Sequence, residues 1–302
     1  MKGIILAGGL GTRLYPITTI TTKSLLPIYN KPMIYYPLSM LMLAGIREVL
    51  IITTPKDSSK FEDLLGAGDK YGITISYATQ STPAGIGEAF IIGEDFIQDD
   101  DVCLILGDNI FYGKTLPLIL RKSLNDIKNN NFSKIFACRV KNPERYGVVE
   151  FGKNNEIINI EEKPLQPKSN YAVVGLYFYK NDVIEKAKKI VPSRRGELEI
   201  TDINELYLNE NRLIIQKLNS VFWLDTGTHD ALVEAANFIK TVENREGNRV
   251  SCLEEIAFKY KYINSKKLKQ IIMNYNNNYS KYLEKLLNGW NSKNLYKWFI
   301  IN

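Results

Sequence analysis

Histidine and cysteine are scarce in this sequence, and their scarcity argues against several kinds of site. The chain has 302 residues but only one histidine, His229, and three cysteines, Cys103, Cys138 and Cys252. Zinc sites built on histidine pairs are disfavoured, and any nucleophilic serine or cysteine would have to use His229 as its base. The cysteines are far apart and lack C-x-x-C spacing, so we expect buried thiols in a reducing compartment. For His229 we expect a structural role.

Long apolar runs are also absent. The longest candidate, residues 33–46, is shorter than the about 18 residues of a membrane helix and contains Tyr, Ser and Gly. The first apolar run is too short for a signal peptide, so we expect a cytoplasmic protein. The net charge of +6, from 39 Lys and Arg against 33 Asp and Glu, is too small to indicate a nucleic-acid partner.

Short apolar runs alternate with helical patterns in residues 1–140. Buried strands are predicted at 3–7, 49–53, 73–77 and 102–106, with helices at about 33–45, 57–66, 85–95 and 115–129. Continuous apolar strands in this alternation predict a doubly wound, mostly parallel, Rossmann-like α/β sheet with helices on both faces. Ligands of such sheets bind beyond the carboxyl ends of the strands.

The rest of the chain has a mixed pattern. Strands are predicted at 147–151, 157–160, 171–179 and 213–217, and helices at about 181–190, 199–211, 228–246 and 253–273. Because no long linker or internal repeat separates the two parts, we expect them to share one sheet. From about residue 274 the composition shifts to Asn, Lys and Tyr, for which we expect a helix followed by a frayed end.

A glycine-rich turn follows the first predicted strand. Gly8, Gly9 and Gly11 leave backbone N–H groups exposed, and we expect the turn to open onto a helix N-terminus that binds phosphate. Arg13 and the downstream Lys23 add positive charge. The spacing is neither a Walker A loop nor G-x-G-x-x-G, so it favours a mononucleotide triphosphate over a dinucleotide.

Two aspartates follow short strand-like segments. Asp108 comes just after the run 102–106, and Asp225 lies in the segment Trp-Leu-Asp-Thr-Gly. A carboxylate at the end of a strand is well placed for Mg²⁺. The residues alone leave open the commoner role of an aspartate in a turn or helix cap.

Several long segments together resemble one known family. These are GGLGTRLYPIT near the N-terminus, KSLLPIYNKPMIYYPLS, LGDNIFYG (106–113), NPERYGVVEF (142–151), EEKPLQPKSNYAVVGLYFY (161–179), RGELEITDIN (195–204) and WLDTGTHDALVEAANFI (223–239). In this order they resemble the sugar nucleotidyltransferases and, within them, the glucose-1-phosphate thymidylyltransferases. The resemblance covers about residues 2–260. It implies a nucleotidyltransferase core over 1–240, with a nucleotide-binding part at about 1–140, a sugar-binding part at about 141–240, and a helical C-terminal region over 241–302.

The resemblance also implies an activity and a set of site residues. The reaction would transfer a deoxythymidylyl group from dTTP to α-D-glucose 1-phosphate, giving dTDP-glucose and pyrophosphate for dTDP-deoxysugar synthesis such as that of dTDP-rhamnose. Mg²⁺ would be held by Asp108 and Asp225, and the assembly would be a homotetramer. The catalytic residues implied are Arg13, Lys23, Asp108, Lys163 and Asp225. The nucleotide would contact Leu6, Gly8, Gly9, Gly11, Thr12, Arg13, Lys23, Gln80, Pro83, Gly85 and Asp108, and the sugar phosphate Tyr146, Gly147, Glu162, Lys163, Val173 and Trp223.

One loop departs from the pattern that the family usually shows. The sequence QSTPAGIGEA keeps Gln80, Pro83 and Gly85 but has Ala84 where Asp is usual and Glu88 where Gln is usual. The preference for dTTP over UTP therefore stays open, as does another hexose 1-phosphate. A non-catalytic sugar-nucleotide sensor is a further alternative. A dinucleotide-dependent enzyme is disfavoured because no acidic residue ends the second predicted strand.

Overall fold

The computed structural model of the chain describes residues 1–154 and 156–290. The strands are β1 (Lys2–Leu6), β2 (Pro27–Ile28), β3 (Lys31–Pro32), β4 (Glu48–Thr53), β5 (Thr74–Thr79), β6 (Val102–Leu106), β7 (Asn109–Tyr112), β8 (Ser133–Arg139), β9 (Gly147–Phe151), β10 (Ile157–Glu162), β11 (Tyr171–Tyr179), β12 (Leu213–Lys217) and β13 (Phe222–Asp225). The helices are α1 (Tyr35–Ala44), α2 (Ser58–Leu65), α3 (Glu88–Ile92), α4 (Glu94–Ile97), α5 (Leu116–Asn129), α6 (Val183–Lys189), α7 (Ile200–Asn209), α8 (His229–Glu246), α9 (Leu253–Lys259), α10 (Ser265–Met273) and α11 (Asn278–Trp290).

Both parts of the chain contribute to one central sheet, which confirms the expectation of a shared sheet. Its strand order is β10-β9-β11-β6-β1-β4-β5, and β8 adds to β11 and β12 to β8. The strands β5, β4, β1 and β6 are mutually parallel, as predicted for the first part of the chain. The strand β11 is antiparallel to β6 and joins the second part of the chain to the first. The predicted domain boundary at residue 240 stays a prediction.

The sheet is buried on both faces. Successive residues of β1, Ile4 and Ile5, belong to two different apolar clusters because neighbouring side chains of a strand point to opposite faces. One face packs against α1, α5 and α9, and the other against α3, α6 and α7. The predicted doubly wound α/β architecture is thus confirmed, with a helical region following α8.

Several elements differ from their predicted bounds. The predicted helix at 85–95 is two short helices, α3 and α4, which meet at Gly93. A Cβ on Gly93 would lie 2.9 Å from both the Ala89 carbonyl oxygen and the Ile4 side chain, so the chain bends where only glycine fits against β1. The predicted helix at 253–273 is likewise divided into α9 and α10. In the predicted tail, α11 is a helix whose Leu283 and Leu287 are buried, and residues 291–302 lie outside the described residues.

Every helix in the described part of the chain is too short or too polar to cross a membrane.

A buried ion pair joins the β2–β3 turn to α8. Lys31 Nζ lies 2.9 Å from Glu243 Oε1, with the two side chains only 5% and 8% exposed. The same carboxylate accepts hydrogen bonds from Asn30 Nδ2 at 2.6 Å and from the Val250 backbone N–H at 3.0 Å. Burial lowers the pKa of Lys31, while the hydrogen bond and charge of Glu243 oppose that effect.

We expect Glu243→Gln to lower the free energy of unfolding by about 3–5 kcal/mol, because it leaves the buried Lys31 ammonium without a counter-charge. Urea unfolding followed by circular dichroism measures this change. Glu246→Gln on the same helix is the matched control, since Glu246 is 37% exposed and lies 4.0 Å from Lys114. That control should cost less than about 1 kcal/mol. Equal losses in the two variants would contradict a structural role for the buried pair.

Candidate active site

A cavity of about 590 Å³ opens beside the ends of β6, β10 and β13. It is lined by many of the residues that the sequence singles out: Arg13, Asp108, Tyr146, Gly147, Glu162, Lys163, Val173, Trp223 and Asp225. A smaller cavity of about 150 Å³ is lined by Leu6, Gly9, Lys23, Leu106 and Asp108, among others. The two cavities share Leu106 and Asp108. Residues from the nucleotide set and the sugar-phosphate set therefore meet at Asp108.

The glycine-rich loop does not open onto an α-helix, so that prediction is wrong. Gly11 has a φ of +62° and is followed by one turn of 3₁₀ helix over Thr12–Leu14. Tyr15 then leaves the helical region with φ −56° and ψ 138°. The reason is Pro16, which disfavours helical backbone in the residue before it. The loop therefore offers backbone N–H groups and nearby cations, with no α-helix dipole to add to them.

Lys23 and Asp108 form an ion pair at the junction of the two cavities. Lys23 Nζ lies 2.6 Å from Asp108 Oδ2, and the lysine side chain is 10% exposed. Asn109 Nδ2 donates a hydrogen bond to Asp108 Oδ1 at 2.8 Å, so both carboxylate oxygens have donors. Burial by itself would raise the pKa of Asp108, but the Lys23 ammonium and these hydrogen bonds hold that pKa below its usual value. Asp108 is therefore an anion at neutral pH.

Asp225 lies next to this pair because two short strands pair with each other. In the antiparallel β7–β13 pair, Asp225 is opposite Asn109, the neighbour of Asp108. Asp225 Oδ2 accepts a hydrogen bond from the Tyr146 hydroxyl at 3.2 Å and lies 3.5 Å from the Arg145 guanidinium. Burial, followed by the charge of Asp225, raises the pKa of Tyr146 to about 12, which keeps that hydroxyl a donor.

The two aspartates have the donor chemistry of a divalent-cation site. Hard cations such as Mg²⁺ bind one or two carboxylates together with substrate phosphates. Asp108 and Asp225 line the same cavity, and each already faces a cation, Lys23 or Arg145. No group of three or more His, Cys, Asp and Glu residues that could hold a metal is found within 1–154 and 156–290. The two carboxylates therefore fit a cation whose remaining ligands come from the substrates.

Glu162 is the last residue of β10 and Lys163 follows it, on the other side of the larger cavity. Glu162 accepts a hydrogen bond from the Thr201 hydroxyl at 2.6 Å, and Lys163 Nζ lies 3.1 Å from its other oxygen. Lys163 has a φ of +46°, unusual for a residue other than glycine, and its N–H donates to the Tyr146 carbonyl at 3.0 Å. Such strain is often found at functional sites because the surrounding fold enforces it.

Sequence reasoning missed several residues that line the cavity. Arg195 donates to both oxygens of Glu199 at 2.8 Å and reaches Glu162 at 3.5 Å. Asn109 accepts from Trp223 Nε1 at 2.6 Å, which fixes the indole at the wall. Arg195 begins the segment RGELEITDIN, which carries part of the family resemblance, but no site role was predicted for its charged residues. Asn109 and Arg145 also lie in quoted segments, LGDNIFYG and NPERYGVVEF, and each is adjacent to a predicted site residue.

The remaining predicted nucleotide residues line neither cavity. These are Gly8, Gly11, Thr12, Gln80, Pro83 and Gly85. Gly8 nevertheless lies against Gln80, since a Cβ on Gly8 would be 2.8 Å from Gln80 Oε1. Gly85 has a φ of +106° and is pressed on the Leu198 backbone, where a Cβ would lie 2.4 Å from the nitrogen. Thr12 and Pro83 are exposed within these same loops.

The single histidine and the cysteines lie away from this site. His229 is the exposed first residue of α8, and Thr228 caps that helix by accepting from the Ala231 N–H at 3.3 Å. The three cysteines are buried free thiols, as expected from the sequence.

Comparison with known proteins identifies the family of the chain. Residues 2–242 match the family model "Nucleotidyl transferase". The chain is 54% identical over 289 residues to the glucose-1-phosphate thymidylyltransferase of Neisseria meningitidis, covering 95% of this chain and 99% of that protein. A Bacillus anthracis protein with a proposed glucose-1-phosphate thymidylyltransferase activity, solved with sucrose, superimposes with a TM-score of 0.73 at 42% identity, over 79% of this chain and 94% of that one. A UDP-glucose pyrophosphorylase in complex with UDP-glucose gives a TM-score of 0.71 at 27% identity, over 80% and 98%. The chain therefore belongs to the nucleotidyl transferase family, among the glucose-1-phosphate thymidylyltransferases.

Proposed function

We propose that this chain transfers a deoxythymidylyl group from dTTP to α-D-glucose 1-phosphate, forming dTDP-glucose and pyrophosphate. The observation that carries the proposal is the meeting of two cavities at Asp108, with Asp225 beside it. One cavity has the glycine-rich loop and Lys23 in its wall, and the other has Glu162 and Lys163. A triphosphate and a sugar phosphate bound on the two sides would meet at this junction.

The reaction is a displacement at phosphorus and needs no protein nucleophile. A phosphate oxygen of the sugar 1-phosphate forms a bond to the α-phosphorus of dTTP, and the bond from that phosphorus to the bridging oxygen of pyrophosphate breaks. Positioning the two substrates and stabilising the developing charge supply the catalysis. This agrees with a site rich in Arg, Lys and Asp. The one histidine of the chain, His229, lines neither cavity.

The cationic side chains divide between the two substrates. Arg13 and Lys23, from the first turn of the sheet, would bind the triphosphate and stabilise the leaving pyrophosphate. Lys163 would bind the phosphate of the sugar, while Glu162 accepts hydrogen bonds from sugar hydroxyls. Gly147 keeps the wall open there, because a Cβ would lie 3.3 Å from both Glu162 Oε2 and the Thr201 hydroxyl.

Asp108 and Asp225 would hold the divalent cation, which we propose is Mg²⁺. A bound cation would draw negative charge from the reacting phosphates. Lys23 and Arg145, which face these carboxylates, are then available for phosphate oxygens.

We also propose a cytoplasmic homotetramer. The three buried free thiols suit a reducing compartment. Phe222 on β13 and Val233 on α8 are each 60% exposed, and such apolar side chains on adjoining elements suit an interface between copies. Analytical ultracentrifugation measures the assembly state.

The experiment that tests the activity is pyrophosphate release with Mg²⁺ and glucose 1-phosphate, using dTTP, UTP, ATP, CTP and GTP in parallel. We expect the fastest release with dTTP. Slower release with UTP is also expected, because uracil carries the same hydrogen-bonding edge as thymine but lacks its methyl group. Addition of a chelator should stop the reaction. Release with UTP alone would show that UTP, and not dTTP, is the substrate. Release with none of the five would contradict the proposed reaction and favour the sugar-nucleotide sensor.

A further inference from the structure

The side-chain amide of Gln80 is held between two hydrogen-bond acceptors. Gln80 is 5% exposed and follows β5. Its Nε2 donates to Glu88 Oε2 at 2.6 Å and to the Gly85 carbonyl oxygen at 3.3 Å. Glu88 is the first residue of α3 and is the position where the family usually has glutamine.

These partners determine which way the amide points. A carboxylate and a backbone carbonyl can only accept hydrogen bonds, whereas one end of an amide donates and the other accepts. If the Gln80 amide were rotated by half a turn, its oxygen would face both acceptors. A glutamine at position 88 would leave the orientation to the Gly85 carbonyl alone, at 3.3 Å, because the glutamine's own amide can rotate to match either orientation of Gln80.

The oxygen of the Gln80 amide consequently faces the glycine-rich loop. The point where a Cβ would stand on Gly8 is 2.8 Å from Gln80 Oε1. No hydrogen-bond donor among the described residues contacts this oxygen. It is an oriented acceptor beside Gly8, whose neighbour in the chain, Gly9, lines the smaller cavity.

The loop backbone is itself fixed in place. The Leu198 N–H donates to the Ala84 carbonyl at 2.7 Å, and the Gly87 N–H donates to the Leu198 carbonyl at 2.9 Å. Gly85 lies within this anchored segment and Glu88 directly follows it, so the backbone that carries the two acceptors of Gln80 is held in place.

We propose that Glu88 is a positioning residue that sets base selectivity by orienting the Gln80 amide. An oriented acceptor selects a base that presents a ring N–H donor. Thymine and uracil carry such a donor at N3, whereas cytosine has an acceptor at N3. The inference rests on the proposed function for the identity of the site, and it adds that selection against cytosine depends on a residue that would not touch the nucleotide.

The test is a swap of the two side chains. Glu88→Gln leaves only the longer hydrogen bond to the Gly85 carbonyl, at 3.3 Å, to orient the Gln80 amide, and it should lower the ratio of dTTP to dCTP affinity at least tenfold. Gln80→Glu places two carboxylates together and should weaken binding of both nucleotides. The double variant Gln80→Glu/Glu88→Gln keeps the net charge and again presents an oriented oxygen acceptor, but its carboxylate cannot donate to the Gly85 carbonyl, so it should restore part of the original ratio. Isothermal titration calorimetry with dTTP and dCTP measures all four proteins without depending on turnover.

Glu94→Gln is the matched control, since Glu94 also begins a short helix and is half-buried but pairs with Lys188. It should leave the nucleotide ratio unchanged. An unchanged ratio in Glu88→Gln, or a double variant no better than the worse single variant, would overturn the inference. If the original protein binds dTTP selectively but makes no dTDP-glucose, the proposed reaction fails while the role of Glu88 is still decided by the ratios.

Discussion

Asp108→Asn and Asp225→Asn should each reduce turnover by about a thousandfold or more, which corresponds to ~4 kcal/mol of transition-state stabilisation. Each substitution removes one of the two carboxylates that fit a divalent cation, and no further cluster of metal ligands in the described residues replaces it. Triphosphate binding should largely survive in Asp108→Asn, because Lys23 loses its partner at 2.6 Å and becomes free to bind phosphate. Steady-state pyrophosphate release measures turnover, and Mn²⁺ titration followed by electron paramagnetic resonance measures cation binding.

Asp57→Asn is the matched control for these variants. Asp57 is a buried aspartate that follows β4 and pairs with Lys60 at 2.7 Å, but it lies outside both cavities. It should keep turnover within about threefold of the original, even where thermal stability falls. Near-normal turnover in Asp108→Asn or Asp225→Asn would remove that residue from the cation site.

Arg13→Ala should lower kcat by about 10²–10³-fold, equal to about 2.7–4 kcal/mol, as expected for loss of one group that stabilises transition-state charge. Arg13 is exposed and lines the larger cavity, and its Nη2 atom lies 3.3 Å from the point where a Cβ on Gly227 would stand. This places its charge near Asp225 and the proposed leaving pyrophosphate. Single-turnover kinetics separate this effect on chemistry from an effect on binding.

Arg13→Lys should recover part of the rate, because it restores the charge but not the planar fork of donors. Arg245→Ala, an exposed arginine in the last turn of α8, is the control and should leave kcat unchanged. A rate in Arg13→Ala equal to that of the control would show that Arg13 takes no part in the reaction.

The central strands were predictable because their signal is local. β1, β4 and β6 are buried on both faces, so their residues form nearly unbroken apolar runs. β7 and β13 could not be predicted in the same way. Each has four residues, and they pair only with each other across a long stretch of sequence. Yet this pairing is what brings Asp225 next to Asn109.

The residues of the candidate site likewise fall into those that local sequence predicts and those that only the fold brings together. Glycines, Arg13 and the strand-end aspartates are recognisable because each type of residue implies a chemistry at its position. Arg145 and Arg195 carry the same charge as many surface residues, and only the folded chain shows Arg145 near Asp225 and Arg195 near Glu162. The prediction of a helix after the glycine-rich turn was wrong because Pro16 disfavours helical backbone at Tyr15.

The hydrogen bonds between residues 84–87 and Leu198 have a consequence for how the two substrates meet. Leu198 lies between Glu197 and Glu199, which line the larger cavity, while its backbone is bonded to the loop that carries Gly85. Backbone hydrogen bonds therefore hold the loop that carries Gly85 at a fixed distance from the wall of the larger cavity. Because these two hydrogen bonds join backbone atoms, the spacing between the proposed base and sugar sites can stay the same while the side chains at each site vary.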